Sequence, residues 1–387
     1  MQKEKRNYQK QLNLKEAMCK MPVGLVVMRW DERVGTEILA KYPEEIVITD
    51  KTLMQVYSTH EYSGESGMIS LMVGSLNIAS YYTGPEKGYY ILMLLNLDDD
   101  PDAYEGGLAD ASRIILQNLE DDAYQSMIPS LFRRLSVYPT LNIEQQLAMT
   151  YQDEIKRMII NRLREEGTVS KSELMVWLKD RYKQGFVDLE GVLIELIKRE
   201  LIKETSVKGM PSELIFLTND ILMLRVPPVQ LLKDPADRGL PSQLASDYRT
   251  ETKKFFQNYK PSDQDNLRVI ENIINPQVYE TLRLLRTAIV TKNDLEKLKK
   301  KGVEDIDEVL KMLWESQMIQ VFQDDRNNEY YALLSDFYID KVFPKYLLNI
   351  IKAEYEKKSK ADQVLLEYLT VLENAYLNLK TAVKAEE

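Results

Sequence analysis

Ser170-Lys-Ser-Glu-Leu174 and Leu217-Thr-Asn-Asp-Ile221 each occur once more, in altered form, further along the chain. Their counterparts are Thr291-Lys-Asn-Asp-Leu295 and Leu333-Leu-Ser-Asp-Phe337, at an offset of about 120 residues. A period of this length indicates a duplicated domain, because the repeats of solenoid proteins are about 20 to 50 residues long. The second half of the chain therefore contains two copies of one fold.

Each copy has the composition of a winged helix, with three amphipathic helices followed by two strands. In the first copy, Ser170 and Glu173 predict a capping box at the second helix, and the two strands flank a turn at 208–211. In the second copy, the third helix is predicted over 305–316 and the turn of the wing over 324–328. The predicted winged-helix domains are residues 141–230 and 276–344.

The N-terminal part of the chain shows the alternation that is typical of strands. The predicted order is strands over 22–30 and 36–42, a helix from Asp50, strands over 68–73, 76–82 and 89–97, and helices from Asp100 and from Tyr124. The short connections favour an antiparallel meander, and the apolar run 89–97 predicts a central strand that is covered on both faces. We place this domain at residues 22–140, after a polar helical lead-in over 1–21.

This order of elements resembles the longin domain over residues 22–138. Trp30-Asp-Glu-Arg-Val-Gly35, Asn77-Ile-Ala-Ser-Tyr-Tyr82 and Gly84-Pro85 also resemble the N-terminal region of a family of uncharacterised archaeal proteins, in which such a domain precedes other modules. The resemblance implies a platform for small GTPases, for membrane-traffic complexes or for another longin or roadblock domain. It implies no catalytic residues.

The residue composition argues against most catalytic and metal chemistry. Cys19 and His60 are the only cysteine and histidine, so one chain offers neither an intramolecular disulfide nor a Cys/His zinc site. We interpret His60 as a polar residue that closes a helix. The run 98–102 is not an EF-hand, since Ala103 and Ala109 stand where Gly and Glu are required, and it is interpreted as a helix cap. We predict a protein without catalytic residues, metal or cofactor, although carboxylate or lysine chemistry is not excluded.

Hydropathy and charge are those of a globular protein, with 44% hydrophobic and 29% charged residues. The longest apolar run, 89–97, is too short to span a bilayer, and no apolar segment behind the first lysines indicates a signal peptide. We therefore expect a cytoplasmic protein without an integral membrane segment. Peripheral association with a membrane stays open.

The net charge of −10 and the third helices argue against nucleic-acid binding. A winged helix that reads DNA presents cations from its third helix, whereas here both third helices begin with acidic residues, such as Asp188 and Glu190 in the first copy. The best basic cluster is Lys297, Lys299, Lys300 and Lys301. We interpret it as a solvated helix end, with an anion or nucleic-acid contact as the alternative.

Two further segments carry apolar faces. The connector 231–275 contains predicted helices over 244–259 and 267–274, and the segment 345–387 is predicted as an amphipathic helix. Core packing is the favoured interpretation of the connector's aromatic residues, with a partner groove as the alternative. For the C-terminal seam we favour packing on a winged helix, with self-association as a homodimer the alternative. The residues of these two faces are Phe255, Phe256 and Tyr259, and Leu365, Leu369, Leu372, Tyr376 and Leu379.

The resulting expectation is an α+β multidomain protein that acts as a non-catalytic adaptor: a longin-like domain, two protein-binding winged helices and a C-terminal helix. Tandem acidic winged helices resemble the architecture of ESCRT-II subunits, without a residue motif that fixes that identity. The alternative function is a transcription regulator that binds DNA through its winged helices.

Overall fold

The computed structural model describes residues 21–386, except 64, 65, 75, 120–122, 183–188, 302 and 304. The predicted helical lead-in therefore lies, up to residue 20, outside the described residues. The described residues up to Thr140, together with 189–191, form one compact unit, and the other described residues from Leu141 onwards form a second. None of the described helices has both the length and the apolarity that a bilayer span requires.

The N-terminal unit contains the predicted five-stranded antiparallel sheet. Its strands have the spatial order β2-β1-β5-β4-β3, so that a hairpin of β1 and β2 joins a meander of β3, β4 and β5 through the pairing of β1 with β5. The two edge strands are therefore β2 and β3. The strands are β1 (Gly24–Asp31), β2 (Gly35–Tyr42), β3 (Gly67–Val73), β4 (Leu76–Tyr82) and β5 (Tyr89–Leu95).

Helices cover both faces of this sheet because the central strands are apolar on both sides. Leu25 and Val27 of β1 pack with α2 (Glu105–Gln117) and α3 (Tyr124–Val137), whereas Val26 and Met28 pack on the opposite face with α1 (Asp50–Ser63). The prediction that β5 is central and covered on both faces is confirmed. The run 98–102 contains the expected cap, since the Asp100 carboxylate accepts a hydrogen bond from the Asp102 amide.

The second unit contains the two copies, each with helices and a three-stranded antiparallel sheet. The sheet orders are β6-β8-β7 in the first copy and β10-β12-β11 in the second. The first copy comprises α4 (Ile143–Gln152), α5 (Glu154–Glu166), β6 (Thr168–Ser170), α6 (Lys171–Arg181), α7 (Leu189–Lys198), β7 (Ile202–Thr205), β8 (Leu214–Leu217), β9 (Asp220–Val226), α8 (Val229–Lys233) and α9 (Ala245–Asn258). The second comprises α10 (Asp263–Ile274), α11 (Pro276–Leu285), β10 (Val290–Thr291), α12 (Lys292–Glu296), α13 (Ile306–Glu315), β11 (Ile319–Gln323), β12 (Glu329–Leu333), β13 (Asp336–Val342), α14 (Leu347–Lys357) and α15 (Asp362–Glu386).

The duplication extends to individual hydrogen bonds. Arg164 donates from Nε to Asp220 at 2.8 Å and from Nη2 to the carbonyl of the next residue, Ile221, at 3.0 Å. Arg286 repeats both bonds, to Asp336 at 2.9 Å and to the carbonyl that follows it at 2.9 Å. These paired side chains fix the start of β9 against α5 and the start of β13 against the end of α11.

A pseudo-two-fold arrangement relates the copies. Strand β9 pairs antiparallel with β13 in a register that places Asp220 opposite Val342 and Val226 opposite Asp336, so that each strand meets its own counterpart. Helices α4 and α10, which open the two copies, also pack against each other. The two copies therefore associate in the manner of a symmetric dimer within one chain.

The last helix of each copy packs on the other copy. Tyr248 of α9 donates its hydroxyl to the carbonyl of Leu333 at 2.7 Å, and Tyr368 of α15 donates to the equivalent carbonyl, that of Leu217, at 3.0 Å. The loops before these helices show the same exchange, since Lys360 donates to the carbonyl of Glu166 in the first copy. The duplication thus continues through the predicted connector, 231–275, and the predicted C-terminal segment, 345–387.

One predicted cap is formed only in part. Ser170 accepts the hydrogen bond from the Glu173 amide at 3.2 Å, but the Glu173 carboxylate pairs with Arg162. The counterpart of this cap, Thr291 with Asp294, is a complete capping box. The Glu173 carboxylate has the Arg162 guanidinium within reach. This charge-assisted pair competes with the hydrogen bond that the carboxylate would otherwise accept from the backbone N–H of Ser170.

Candidate partner-binding surfaces

Helices α7 and α13 correspond to the predicted third helix of the first and second copy. The exposed face of each carries an acidic residue and an apolar residue at equivalent positions. In α7 these are Glu190 and, two turns further, Ile197, with Ile194 between them. In α13 the equivalent stripe starts at Asp307 and ends at Trp314, whose accessible fraction is 59%. An exposed tryptophan at this position was not predicted, although the helical period places it opposite the buried face.

Several acidic residues of the third helices are engaged within the protein. Glu195 faces inward and pairs with the buried Lys156, so it does not contribute to the exposed face. Asp305 caps α13 by accepting from the Glu308 amide at 3.0 Å. Asp188, which entered the prediction, and Glu304 lie outside the described residues. The exposed acidic residues of α13 are Asp307, which accepts a hydrogen bond from Lys292 Nζ at 2.7 Å, Glu308 and Glu315.

The lysine cluster lies on a 3-10 helix over Lys297–Lys301, directly after α12. Lys297 donates to Asp294 at 2.8 Å, and Lys299 pairs with Glu296. The hydrogen bond from Lys297, with those from Thr291, lowers the pKa of Asp294 to about 2. Carboxylates one turn earlier thus offset two of these cations, whereas Lys300 is exposed and the side chain of Lys301 lies outside the described part.

The predicted aromatic stripe of α9 encloses a buried arginine. Phe255, Phe256 and Tyr259 contact one another, with the Phe255 and Tyr259 rings stacked at 5.5 Å between centroids. The guanidinium carbon of Arg225 lies 5.7 Å from the Phe255 centroid and 5.6 Å from that of Tyr259. Arg225 follows from no sequence motif, and only the packing of α9 on the second copy brings it to the stripe.

All five N–H groups of Arg225 donate hydrogen bonds. Nε and Nη2 each donate to Asp265 at 2.8 Å, and the other three donate to Ser335 Oγ, to the Gln317 carbonyl and to the Ser316 carbonyl. Tyr259 adds its hydroxyl to the same carboxylate at 2.8 Å. Arg225 has no donor left for a ligand, and the cluster is a rigid support.

The charges of this cluster stabilise one another. Burial would raise the pKa of Asp265, but the hydrogen bonds and charge of Arg225, with the Tyr259 hydroxyl, hold that pKa below its ordinary value. Burial, together with the bond to Asp265, raises the pKa of Tyr259 to about 12. Both groups therefore keep a single protonation state at neutral pH, and neither is set up for proton transfer.

A groove of about 530 Å³ lies between the stripe and the second copy. Its walls include Phe255 and Tyr259 from the stripe and the side chains of Gln317, Gln320 and Leu334 from the second copy. Lysines and one glutamate stand on the α9 side. The full set of lining residues is Glu251, Lys254, Phe255, Asn258, Tyr259, Lys260, Asp265, Gln317, Gln320 and Leu334.

The predicted C-terminal seam is divided between two faces of α15. Leu365 and Leu372 are buried against the body of the unit, as the favoured interpretation requires, whereas Leu369 and Tyr376 are exposed by 42% and 45%. Leu379 has no described side chain. The buried face is completed by residues that the prediction omitted, namely Val364, Tyr368, Val371 and Ala375.

The two edges of the N-terminal sheet differ in protection. Edge strand β2 carries Glu37 and Lys41, and its pairing with β1 contains an irregularity between Val27 and Met28. Edge strand β3 has the sequence Gly-Met-Ile-Ser-Leu-Met-Val without any charge, and Met72 in it is 60% exposed. Charges and bulges discourage edge-to-edge pairing, so β3 is the edge at which another strand can be added.

His60 lies in the last turn of α1, but it is buried. Its Nε2 lies 3.0 Å from Ser80 Oγ, and the rings of Tyr82 and Tyr90 surround it. Burial lowers the pKa of His60 to about 4, so the ring is neutral at physiological pH. The prediction that His60 closes a helix is therefore correct for its position in α1. Its burial among aromatic rings was not predicted.

No protein-family model matches the sequence, and comparison with curated proteins gives no match. Among the residues described, no three His, Cys, Asp or Glu side chains are grouped so that they could hold a metal ion.

Proposed function

We propose that this protein is a non-catalytic adaptor in which a longin-like platform is joined to two winged-helix modules that bind proteins. The five-stranded sheet with helices on both faces supports the first part of this proposal. Each copy in the second unit, with its helices and three-stranded sheet, supports the second part. The cytoplasm is the proposed location, and an ESCRT-like assembly is one setting that such an architecture would suit.

The observation that carries the proposal is the exposed face of the third helices. In α13 the exposed face carries Trp314 with three acidic residues, Asp307, Glu308 and Glu315, and one lysine, Lys311, whereas a DNA-reading helix would present mainly cations there. Aromatic side chains are enriched at the centres of protein interfaces. The equivalent helix α7 presents Ile194 and Ile197 on the same face.

A titration of labelled duplex DNA at several salt concentrations, followed by fluorescence anisotropy, tests this proposal against a DNA-binding regulator. We expect no saturable binding at physiological salt, because the acidic faces would repel phosphates. Tight binding with a steep salt dependence would support the regulator. If DNA does bind, the variant Trp314→Ala tests whether it binds at this face, because removal of the tryptophan side chain would then weaken the DNA complex.

The N-terminal platform is proposed to bind a small GTPase or a second longin or roadblock domain. Strand addition at the uncharged edge β3 is the favoured mode, and it would also give a homodimer. Sedimentation of the full chain, alone and with purified GTPases in each nucleotide state, measures these associations. We expect Ser70→Lys on β3 to abolish them and Ile38→Lys on β2 to leave them intact. Equal effects of the two variants would remove the edge from the proposal.

A further inference from the structure

We propose that the groove beside the Phe255 and Tyr259 rings binds an extended peptide segment of a partner protein, with a carboxylate directed towards Lys254 and Lys260. This inference rests on the proposed adaptor function and adds a binding site and a ligand class to it.

The groove lies along α9, one of the two exchanged helices, and the two helices differ at equivalent positions. Tyr248 of α9 and Tyr368 of α15 are equivalent, which aligns Glu251 with Val371 and Phe255 with Ala375. Val371 and Ala375 are buried on α15. On α9 a charged residue and a half-buried aromatic residue stand at these positions instead, and both line the groove.

The support of the groove is already rigid. Arg225 is 1% exposed and fully hydrogen-bonded, and it fixes Asp265, Tyr259 and the carbonyl of Gln317 in one arrangement. A ligand would therefore meet walls that need no reorganisation, which lowers the entropic cost of binding. The volume of about 530 Å³ lies within the range of about 300 to 1,000 Å³ that is usual for ligand sites.

The walls offer hydrogen bonds of the kind that a peptide backbone requires. Gln317 and Gln320 line the groove, and neither side-chain amide bonds to any side chain or backbone group in the described parts of the chain. Each amide can donate and accept, so together they can pair with the N–H and C=O groups of an extended segment. The rings of Phe255 and Tyr259 and the side chain of Leu334 provide the surface for an apolar side chain.

The charge of the rim selects an anionic ligand within an otherwise acidic protein. Lys260 is exposed and has no carboxylate partner among the residues described, and Lys254 lies 3.8 Å from Glu251 in a loose pair. Arg225 neutralises Asp265, the other acidic group of the lining. A carboxylate, from an acidic side chain or a C-terminus, therefore complements the end of the groove near Lys260.

Selection of phage-displayed random peptides on the full-length protein, followed by anisotropy with labelled synthetic peptides, tests the site. Gln320→Glu places an anion in the wall with little change in shape. The matched control is Lys203→Gln, at the equivalent position on β7 in the first copy, which changes the net charge by the same amount. We expect Gln320→Glu to weaken the selected peptides roughly tenfold or more, and Lys203→Gln to leave them unchanged.

Peptides that bind both variants equally well, or a selection without enriched sequences, would overturn the site. Lys260→Ala supplies a second measurement on an exposed residue whose removal leaves the fold intact, and it should weaken peptides with a free carboxylate more than their amides. Failure here is distinguishable from failure of the proposed function. DNA binding with intact peptide binding would refute the adaptor alone, whereas loss of the peptide site leaves the third-helix faces unaffected.

Discussion

The two copies in the second unit share the hydrogen bonds that fix their strands and differ in the exchanged helix that packs on each of them. Both keep an arginine that ties the first residue of a strand to a helix, and both receive a tyrosine from the exchanged helix of the other copy. The exchanged helices differ, since α15 buries a continuous apolar face, whereas α9 buries only Tyr248 and Thr252. Duplication has thus preserved the contacts that fix the fold and left one exchanged helix free to acquire a groove.

The largest difference between the copies should appear when the shared arginine is replaced. Arg286→Met leaves two carboxylates, Glu144 and Asp336, without a cation, whereas Arg164→Met leaves only Asp220. We expect a loss of about 3–5 kcal/mol for Arg286→Met, since breaking a buried pair leaves an uncompensated charge. Arg164→Met should cost less, about 1–3 kcal/mol, because it leaves one carboxylate rather than two without a cation. A tyrosine hydroxyl still donates to a carboxylate in each cluster, Tyr346 to Asp220 and Tyr279 to Glu144.

Urea unfolding of the full chain, followed by tryptophan fluorescence, measures both losses. The double replacement Arg286→Met with Glu144→Gln is the control, because it removes one of the two stranded charges and should recover part of the stability. Equal losses for the two arginines would show that Glu144 contributes nothing to the difference between the copies.

An effect of intermediate size should come from the exchanged tyrosines. Tyr248→Phe and Tyr368→Phe each remove one hydrogen bond to a buried carbonyl and keep the ring, so we expect about 1–2 kcal/mol for each. Hydrogen exchange should show a crossed pattern, with Tyr368→Phe increasing exchange in the first copy around Leu217 and Tyr248→Phe in the second around Leu333. Increases confined to the copy that carries the substitution would contradict the exchange of helices.

The smallest effect should be a difference in acid sensitivity between the helix caps. The pKa of Asp294 is lowered to about 2, chiefly by hydrogen bonds from Lys297 and Thr291. Because the folded pKa lies below the ordinary value of 3.8, the stabilisation is complete above about pH 4 and is lost as the pH falls towards 2. Asp294→Asn should abolish this acid-dependent contribution to the free energy of unfolding. We expect a change of about a few tenths of a kcal/mol, because the cap is exposed.

Glu173→Gln in the first copy is the matched comparison, since its carboxylate pairs with Arg162 and does not complete the cap. Thermal unfolding of the three proteins between about pH 5 and pH 2 would detect the difference. The same slope for wild type and Asp294→Asn would mean that the complete capping box makes no measurable contribution.

Much of the fold was predictable because it depends on local patterns. Asp100 marks a helix start by cap chemistry, and the uninterrupted apolar run of β5 indicates a strand that is covered on both faces. The helix predicted from Asp50 is present, but Thr49 caps it by accepting a hydrogen bond from the Thr52 amide at 3.2 Å. The repeated Asp220 and Asp336 were visible as a motif, but their arginine partners were not. Those partners lie 56 and 50 residues away in sequence, and no periodicity connects them.

The candidate surfaces were less predictable for the same reason. The stripe of Phe255, Phe256 and Tyr259 was visible from its spacing, whereas the groove beside it requires Gln317 and Gln320, which belong to the other copy. For α15 the spacing of leucines indicated one seam, but Leu369 and Tyr376 are exposed. A periodic pattern identifies an amphipathic helix, and only its packing partner determines which of several apolar rows is buried.

From the sequence alone followed the duplication of the second half, its helix caps, the two strands after the third helix of each copy, and the acidic residues at which the third helices begin. These features depend on residues a few positions apart, whose side chains meet whatever the remainder of the chain does. Packing in three dimensions was needed to show that the copies exchange their last helices, that Arg225 has no free donor, and that a groove lies between α9 and the second copy. Each of these depends on contacts between residues about 40 to 150 positions apart, which the hydrophobic effect brings together without leaving a local trace in the sequence.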